Sequence, residues 1–171
     1  MSQSEPIAFK TVLEYLVMIN EQSYSGIGRH LHITPQQFSD WIKKRRPIPQ
    51  ERLQALANYF GIDGSILVDN NNFVKPLTPL KKVDLHILLL DQQVALLEEG
   101  GAEDEDIGPY REKKQKLLKE RAEQHRLAKI AATLQLNDNR INQILDYVIH
   151  ELESGRVEEL ELKLNKGEEQ R

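Results

Sequence analysis

The sequence predicts an all-α chain made of a helix-turn-helix unit followed by a second helical domain. Three observations carry this. Apolar residues recur at intervals of three and four along most of the chain, which is the helical period. Cap-and-start pairs, Thr34 with Pro35 and Thr78 with Pro79, stand directly before such runs. Asp69, Asn70, Asn71 and Asn72, with prolines at 76 and 79, interrupt the pattern and mark a boundary. The expected organisation is therefore a first domain over 1–69, a linker over 70–78 and a helical oligomerisation domain over 79–171.

The elements follow in order. A first helix over 8–19 has Val12, Leu13, Leu16 and Ile19 on one face. Residues 23–46 then read as helix, turn, helix. Ile27 and Leu31 give the first of these helices an apolar face, which Ile33 carries into the turn. Thr34 suits an N-cap because its hydroxyl accepts from an otherwise unpaired amide, and Pro35 suits the first helical position. Phe38, Trp41 and Ile42 point inward at helical spacing, leaving Gln36, Gln37, Ser39, Asp40 and Lys43 outward. Pro47, Ile48 and Pro49 break the chain before a fourth helix over 50–60, stopped by Gly61, and a short fifth helix lies near 65–68.

Beyond the boundary, Leu80, Val83, Ile87, Leu90, Val94 and Leu97 form a stripe on a helix over 79–98. Leu85, Leu88, Leu89 and Leu96 widen it until the helix is apolar over most of its surface, so it must be covered by its own chain or by a second copy. Periodicity does not choose between these, but Val83, Ile87, Leu90, Val94 and Leu97 are the candidate oligomer interface. An acidic, glycine-containing loop is expected over 98–106, and Gly108 with Pro109 opens a long charged helix to 136. Asn137, Asp138 and Asn139 cap a further helix with Ile141, Ile144, Leu145, Val148, Ile149 and Leu152 on one face, ended by Gly155. The tail over 156–164 fits a strand through Leu160, Leu162 and Leu164, or a helix through Val157, Leu160 and Leu164.

Composition narrows the function classes. With no cysteine among 171 residues, disulfide frameworks, thiolate nucleophiles and Cys-type zinc sites are excluded. The five histidines lack metal-ligand spacing, and Glu103, Asp104, Glu105 and Asp106 lack the alternating order of a calcium loop. No phosphate loop, nucleophile elbow or paired catalytic carboxylates occur, so neither enzymatic activity nor a cofactor is expected. No apolar stretch approaches membrane-spanning length and no signal pattern opens the chain, so a cytoplasmic location without membrane contact is expected. The net charge of −4 at first opposes nucleic-acid binding. Through Pro76, however, there are 8 Lys or Arg against 7 Asp or Glu, and 15 against 20 beyond it. The acidity thus lies outside the helix-turn-helix. The cations between Lys113 and Arg126 alternate with Glu120 and Glu123, as on a solvated helix face.

The second helix of the helix-turn-helix is composed for a DNA groove. Gln36 and Gln37 have the carboxamide geometry that bonds adenine at N6 and N7, and Asp40 matches cytosine N4 or repels phosphates from a wrong register. Lys43, Lys44, Arg45 and Arg46 follow where phosphates flank a docked helix. Thr34 and Ser39 join them as candidate phosphate contacts.

Over 8–68 the sequence resembles the Cro-like, lambda-repressor-like helix-turn-helix family of phage and bacterial regulators. Thr34, Phe38, Ser39 and Trp41 match its turn, core, small polar and core positions. Arg46, Pro47, Ile48 and Pro49, then Glu51, Arg52 and Leu53, resemble the exit and fourth helix of prophage Cro-type and antitoxin-type members. The resemblance implies a five-helix domain that presents its third helix to the major groove. It also implies that Ser23 caps the second helix and that Tyr24 touches phosphate. Gly28 stands where the family usually has Ala, His32 where it has a turn Gly, and Ile42, Lys43 and Lys44 replace its Glu-x-Gly.

The expectation is a sequence-specific DNA-binding transcriptional regulator, a repressor by resemblance, that acts as a homodimer or homotetramer on inverted repeats of double-stranded DNA. One alternative is an antitoxin- or antirepressor-type module whose C-terminal helices grip a protein partner. Another is a regulator that senses a ligand or peptide, with an inducer of unspecified kind, although no helical repeat supports it.

Overall fold

The structure is a computed structural model that describes residues 9–168. The chain divides into two compact units, Met1–Arg121 and Ala122–Arg171. The described residues form nine helices and, in place of strands, two isolated bridges, so the chain is all-α as expected. Among those residues no helix is long and apolar enough to cross a membrane.

In the first unit, α1 (Val12–Ile19) starts later than position 8 because Thr11 and Glu14 close a capping box. Thr11 Oγ1 accepts from the Glu14 amide at 3.2 Å while Glu14 Oε2 accepts from the Thr11 amide at 2.9 Å. Residue 8 lies outside the described residues. Ser23 caps α2 (Tyr24–Leu31), and Thr34 caps α3 (Pro35–Ile42) with Pro35 at its start. Next comes α4 (Gln50–Phe60), stopped by Gly61 at φ 63°, and then the single turn of α5 (Gly64–Leu67). Leu13, Leu16, Ile27, Phe38, Trp41, Ile48, Leu56 and Leu67 fill one core between these helices.

Residues 70–78 are not a free linker. The amide of Ile48 donates to Asn72 O, that of Lys75 to Leu67 O, that of Val12 to Lys75 O and that of Leu77 to Lys10 O. Val74 is fully buried in between. The segment returns across the domain as an extended strap, its backbone groups satisfied by residues distant in sequence.

Thr78 caps α6 (Pro79–Glu99). The acidic stretch expected to be a loop turns helical at Asp104 and opens α7 (Asp104–Leu134), with Asp104, Glu105 and Asp106 in the first turn, where carboxylates favour the positive end of a helix. Pro109 sits inside that helix and removes the bond that the Glu105 carbonyl would otherwise accept. Ion pairs tie α6 to the first part of α7 in antiparallel order: Asp84 with Arg121, Asp91 with Lys114 at 2.6 Å, and Glu98 with Arg111 at 3.3 Å. Each is solvent-accessible and worth at most about 1 kcal/mol, so the ladder sets register more than stability.

The hairpin covers part of the α6 stripe that was the candidate oligomer interface. Val83, Leu85 and Leu90 are buried by the chain itself, and Ile87, Val94 and Leu97 are half-buried. On its other side α6 meets α1, where the Tyr15 hydroxyl and His86 Nε2 lie 2.7 Å apart with their rings stacked. Of α6, Leu85 joins the core of the first unit, while Val83 and Leu90 are buried beside it.

The second unit contains the remainder of α7, which ends at Leu134 and not at 136, then α8 (Asn139–Glu153) and α9 (Val157–Glu168). Asp138 caps α8, and Gly155 at φ 73° turns the chain into α9. The tail is helical, which settles the strand-or-helix ambiguity. Glu151 is buried at this turn and accepts from Arg156 at 2.8 Å, a bond that holds its carboxyl below the usual range. Leu160 is the other buried side chain of this unit among the described residues.

Candidate nucleic-acid interface

The crossing of α2 and α3 is close because Gly28 allows it. A Cβ at Gly28 would collide with the Ile33 carbonyl, and the Ile33 amide already donates to Gly28 O at 2.9 Å. The turn passes through His32 at φ 55° and ψ 44°, a left-handed conformation in which His is better tolerated than most residues. Arg52 of α4 donates to the Leu31 carbonyl at 2.7 Å, which satisfies an acceptor at the end of α2. Phe38 packs against Tyr24 at 5.1 Å and against Trp41 at 5.7 Å between ring centroids. The turn and the inner face of α3 are thus held by α2 and α4.

The opposite face of α3 is open. Gln36 and Lys43 are exposed, Gln37 and Ser39 are half-exposed, and the Asp40 side chain is 15% exposed. These side chains are not free, however. Gln37 Oε1 accepts from the Thr34 amide at 2.8 Å while Thr34 Oγ1 accepts from the Gln37 amide at 3.2 Å. This capping box uses the carboxamide oxygen that bidentate bonding to adenine would need, so Gln37 is a structural cap before it is a base reader. Gln36 Nε2 donates to Asp40 Oδ1 at 2.9 Å.

Lys43 caps the end of α3 and Lys44, at φ 53°, turns the chain away. The Arg45 amide donates to the Asp40 carbonyl at 2.8 Å. The Arg45 guanidinium lies 3.5 Å from the Asp40 carboxylate and that of Arg46 lies 4.0 Å from it. All four cations are exposed, so they form one basic rim at the end of α3.

At the other end, Tyr24, Arg29, His32, Thr34 and Pro35 line an open groove of about 490 Å³. Burial, reinforced by Glu14, pushes the Tyr24 hydroxyl up to about 12, so it remains a neutral donor suited to an anionic oxygen. Arg29 is exposed in the last turn of α2 and was not among the predicted contacts. Its place beside Thr34 depends on the sharpness of the turn, which no local spacing reveals. The structure therefore brings Tyr24, Thr34, Gln36, Gln37, Ser39, Asp40 and the four cations onto α2, α3 and their exit. Val83, Ile87, Leu90, Val94 and Leu97 lie apart from them on α6.

Compared with protein-family models, with curated proteins and with solved structures, the chain matches none of them.

Proposed function

We propose that the protein is a sequence-specific DNA-binding transcriptional regulator, a repressor that binds an inverted-repeat operator as a dimer or higher oligomer. One observation carries the reading: α3 presents a polar outer face on a rigid apolar base, with four exposed cations directly at its end. A helix fits the major groove, where each base pair offers a distinct set of donors and acceptors. Gln36 and Asp40 are the base readers in this reading, and Gln37 reads only by giving up its cap. Lys43, Lys44, Arg45 and Arg46 grip phosphates at one end, and Tyr24, Thr34, Ser39 and Arg29 do so near the other. Such contacts fix position without reading sequence.

The test is selection of bound sites from random duplex DNA, read by sequencing. Enrichment of an inverted repeat with half-sites about one helical turn apart, roughly 34 Å, is the expected outcome. Recovery of unenriched DNA would reject the reading. The open apolar surface of α8 and α9 favours a second one, an antitoxin- or antirepressor-type module that grips a protein. Recovery of unenriched DNA alongside a co-purifying protein of fixed stoichiometry would support that instead.

A further inference from the structure

We propose that the second unit is a self-association domain, and that the surface it leaves open is closed by the same surface of a second copy of this chain. On α7, Leu127, Ile130 and Leu134 fall on one face, 58%, 47% and 45% exposed. On α8 Ile144 is 62% exposed, and on α9 Leu162 and Leu164 are 60% and 65% exposed. Against these, the unit buries only Glu151 and Leu160 among its described residues. Three helices with so little interior do not stand alone at this size. Their missing core lies on another molecule.

The extent of the surface identifies that molecule. Eleven large apolar side chains of this unit are more than a third exposed among the described residues. Summed over the three helices they expose on the order of 1,000 Å² of apolar surface, comparable to what one side of a stable dimer buries. The first unit has nothing of matching extent, since Met18, Leu96 and Leu118 are its only exposed large apolar side chains among the described residues. An obligate partner must be present whenever the chain is made, and a second copy always is. A two-fold interface between identical patches also closes on itself, leaving no apolar surface to propagate.

This surface supplies the dimer that the DNA-binding reading calls for, yet it rests on the burial pattern alone. The test is sedimentation of the full chain across the micromolar range, for the wild type and for the Ile130→Glu, Ile144→Glu double variant. The conservative Ile130→Leu, Ile144→Leu pair serves as a control, and Leu96→Glu probes α6. Urea unfolding followed by Trp41 fluorescence reports whether the first unit stays folded. A wild-type dimer or tetramer, dispersed at least about tenfold more readily by the glutamates and unaffected by the leucines or by Leu96→Glu, is expected, with Trp41 unchanged. A wild-type monomer throughout that range would overturn the proposal. So would an oligomer that survives the double variant, or one that Leu96→Glu disperses. No arm contains DNA, so failure here and failure of site selection are separate results.

Discussion

The Gln36 carboxamide donates a 2.9 Å hydrogen bond to the Asp40 carboxylate one turn further along α3. The same carboxylate lies beside Arg45 and Arg46. Asp40 therefore restrains Gln36 and two cations at once. Under the proposed reading, docking on DNA exchanges both contacts, for a base edge in one case and for phosphates in the other.

Asp40→Ala releases all three partners and, under the proposed reading, removes a negative charge from the face that meets phosphates. Binding to random duplex is expected to strengthen several-fold, with the slope of log affinity against log salt steeper by about 1. Anisotropy titrations over a salt series measure this. An unchanged slope would mean that Asp40 does not hold the arginines back.

Gln36 and Gln37 are expected to separate by their readouts. Gln36→Ala costs about 1–3 kcal/mol on the preferred site and relaxes base choice there, with stability unaffected. Gln37→Ala breaks the capping box and lowers the stability of the first unit by about 1 kcal/mol. Gln37→Glu keeps the box, because a carboxylate accepts from the Thr34 amide as well, and so preserves stability. Urea unfolding of the three variants beside a binding titration distinguishes a cap from a reader.

Gly28→Ala places a methyl against the Ile33 carbonyl and forces α2 and α3 apart. A loss of about 1–3 kcal/mol is expected, together with loss of DNA binding. Trp41, buried on α3, reports the unfolding by fluorescence. Wild-type stability in this variant would show that the helices can separate without cost.

His86 makes stability depend on pH. Burial lowers its pKa below the ordinary 6.5, and Lys113 and Lys82 lower it further against the opposing pull of Glu120. The unfolded chain then takes up a proton that the folded chain resists. Stability should be complete above the unfolded value and fall as pH drops below it, toward the folded one. His86→Asn is expected to flatten the urea midpoint between pH 7.5 and 5.5, where the wild type declines. Parallel declines would assign the effect to another group.

The starts of α2, α3, α6 and α8 were legible because caps act locally. Ser23, Thr34, Thr78 and Asp138 each accept from an amide two or three residues away, so the signal sits beside the element it begins. The strap over 70–78 was not legible. Its Asn and Pro content reads as a linker, and the bonds that fold Val74 inward come from residues 10, 12, 48 and 67. The strap and the α6–α7 hairpin keep residues up to 121 in one compact unit. Asp84, Asp91 and Glu98 recur every seven residues opposite Arg121, Lys114 and Arg111, so a charge signal for the hairpin was present. The occupied states of Gln36 and Gln37 did leave a trace, since Thr34 and Gln37 stand at capping-box spacing and Gln36 and Asp40 one turn apart, but the same residues also fit a base-reading face.

The left-handed backbone at Lys44 ends α3 abruptly, so the cations that follow do not ride on its helical face. Under the proposed reading the grip on the duplex and the recognition of bases meet at Asp40, which holds Gln36 on one side and Arg45 and Arg46 on the other. Exchange of Gln36, with Asp40 kept, can redirect the protein to a new site without resetting the clamp. A lineage of such regulators could diverge in target while keeping one docking pose.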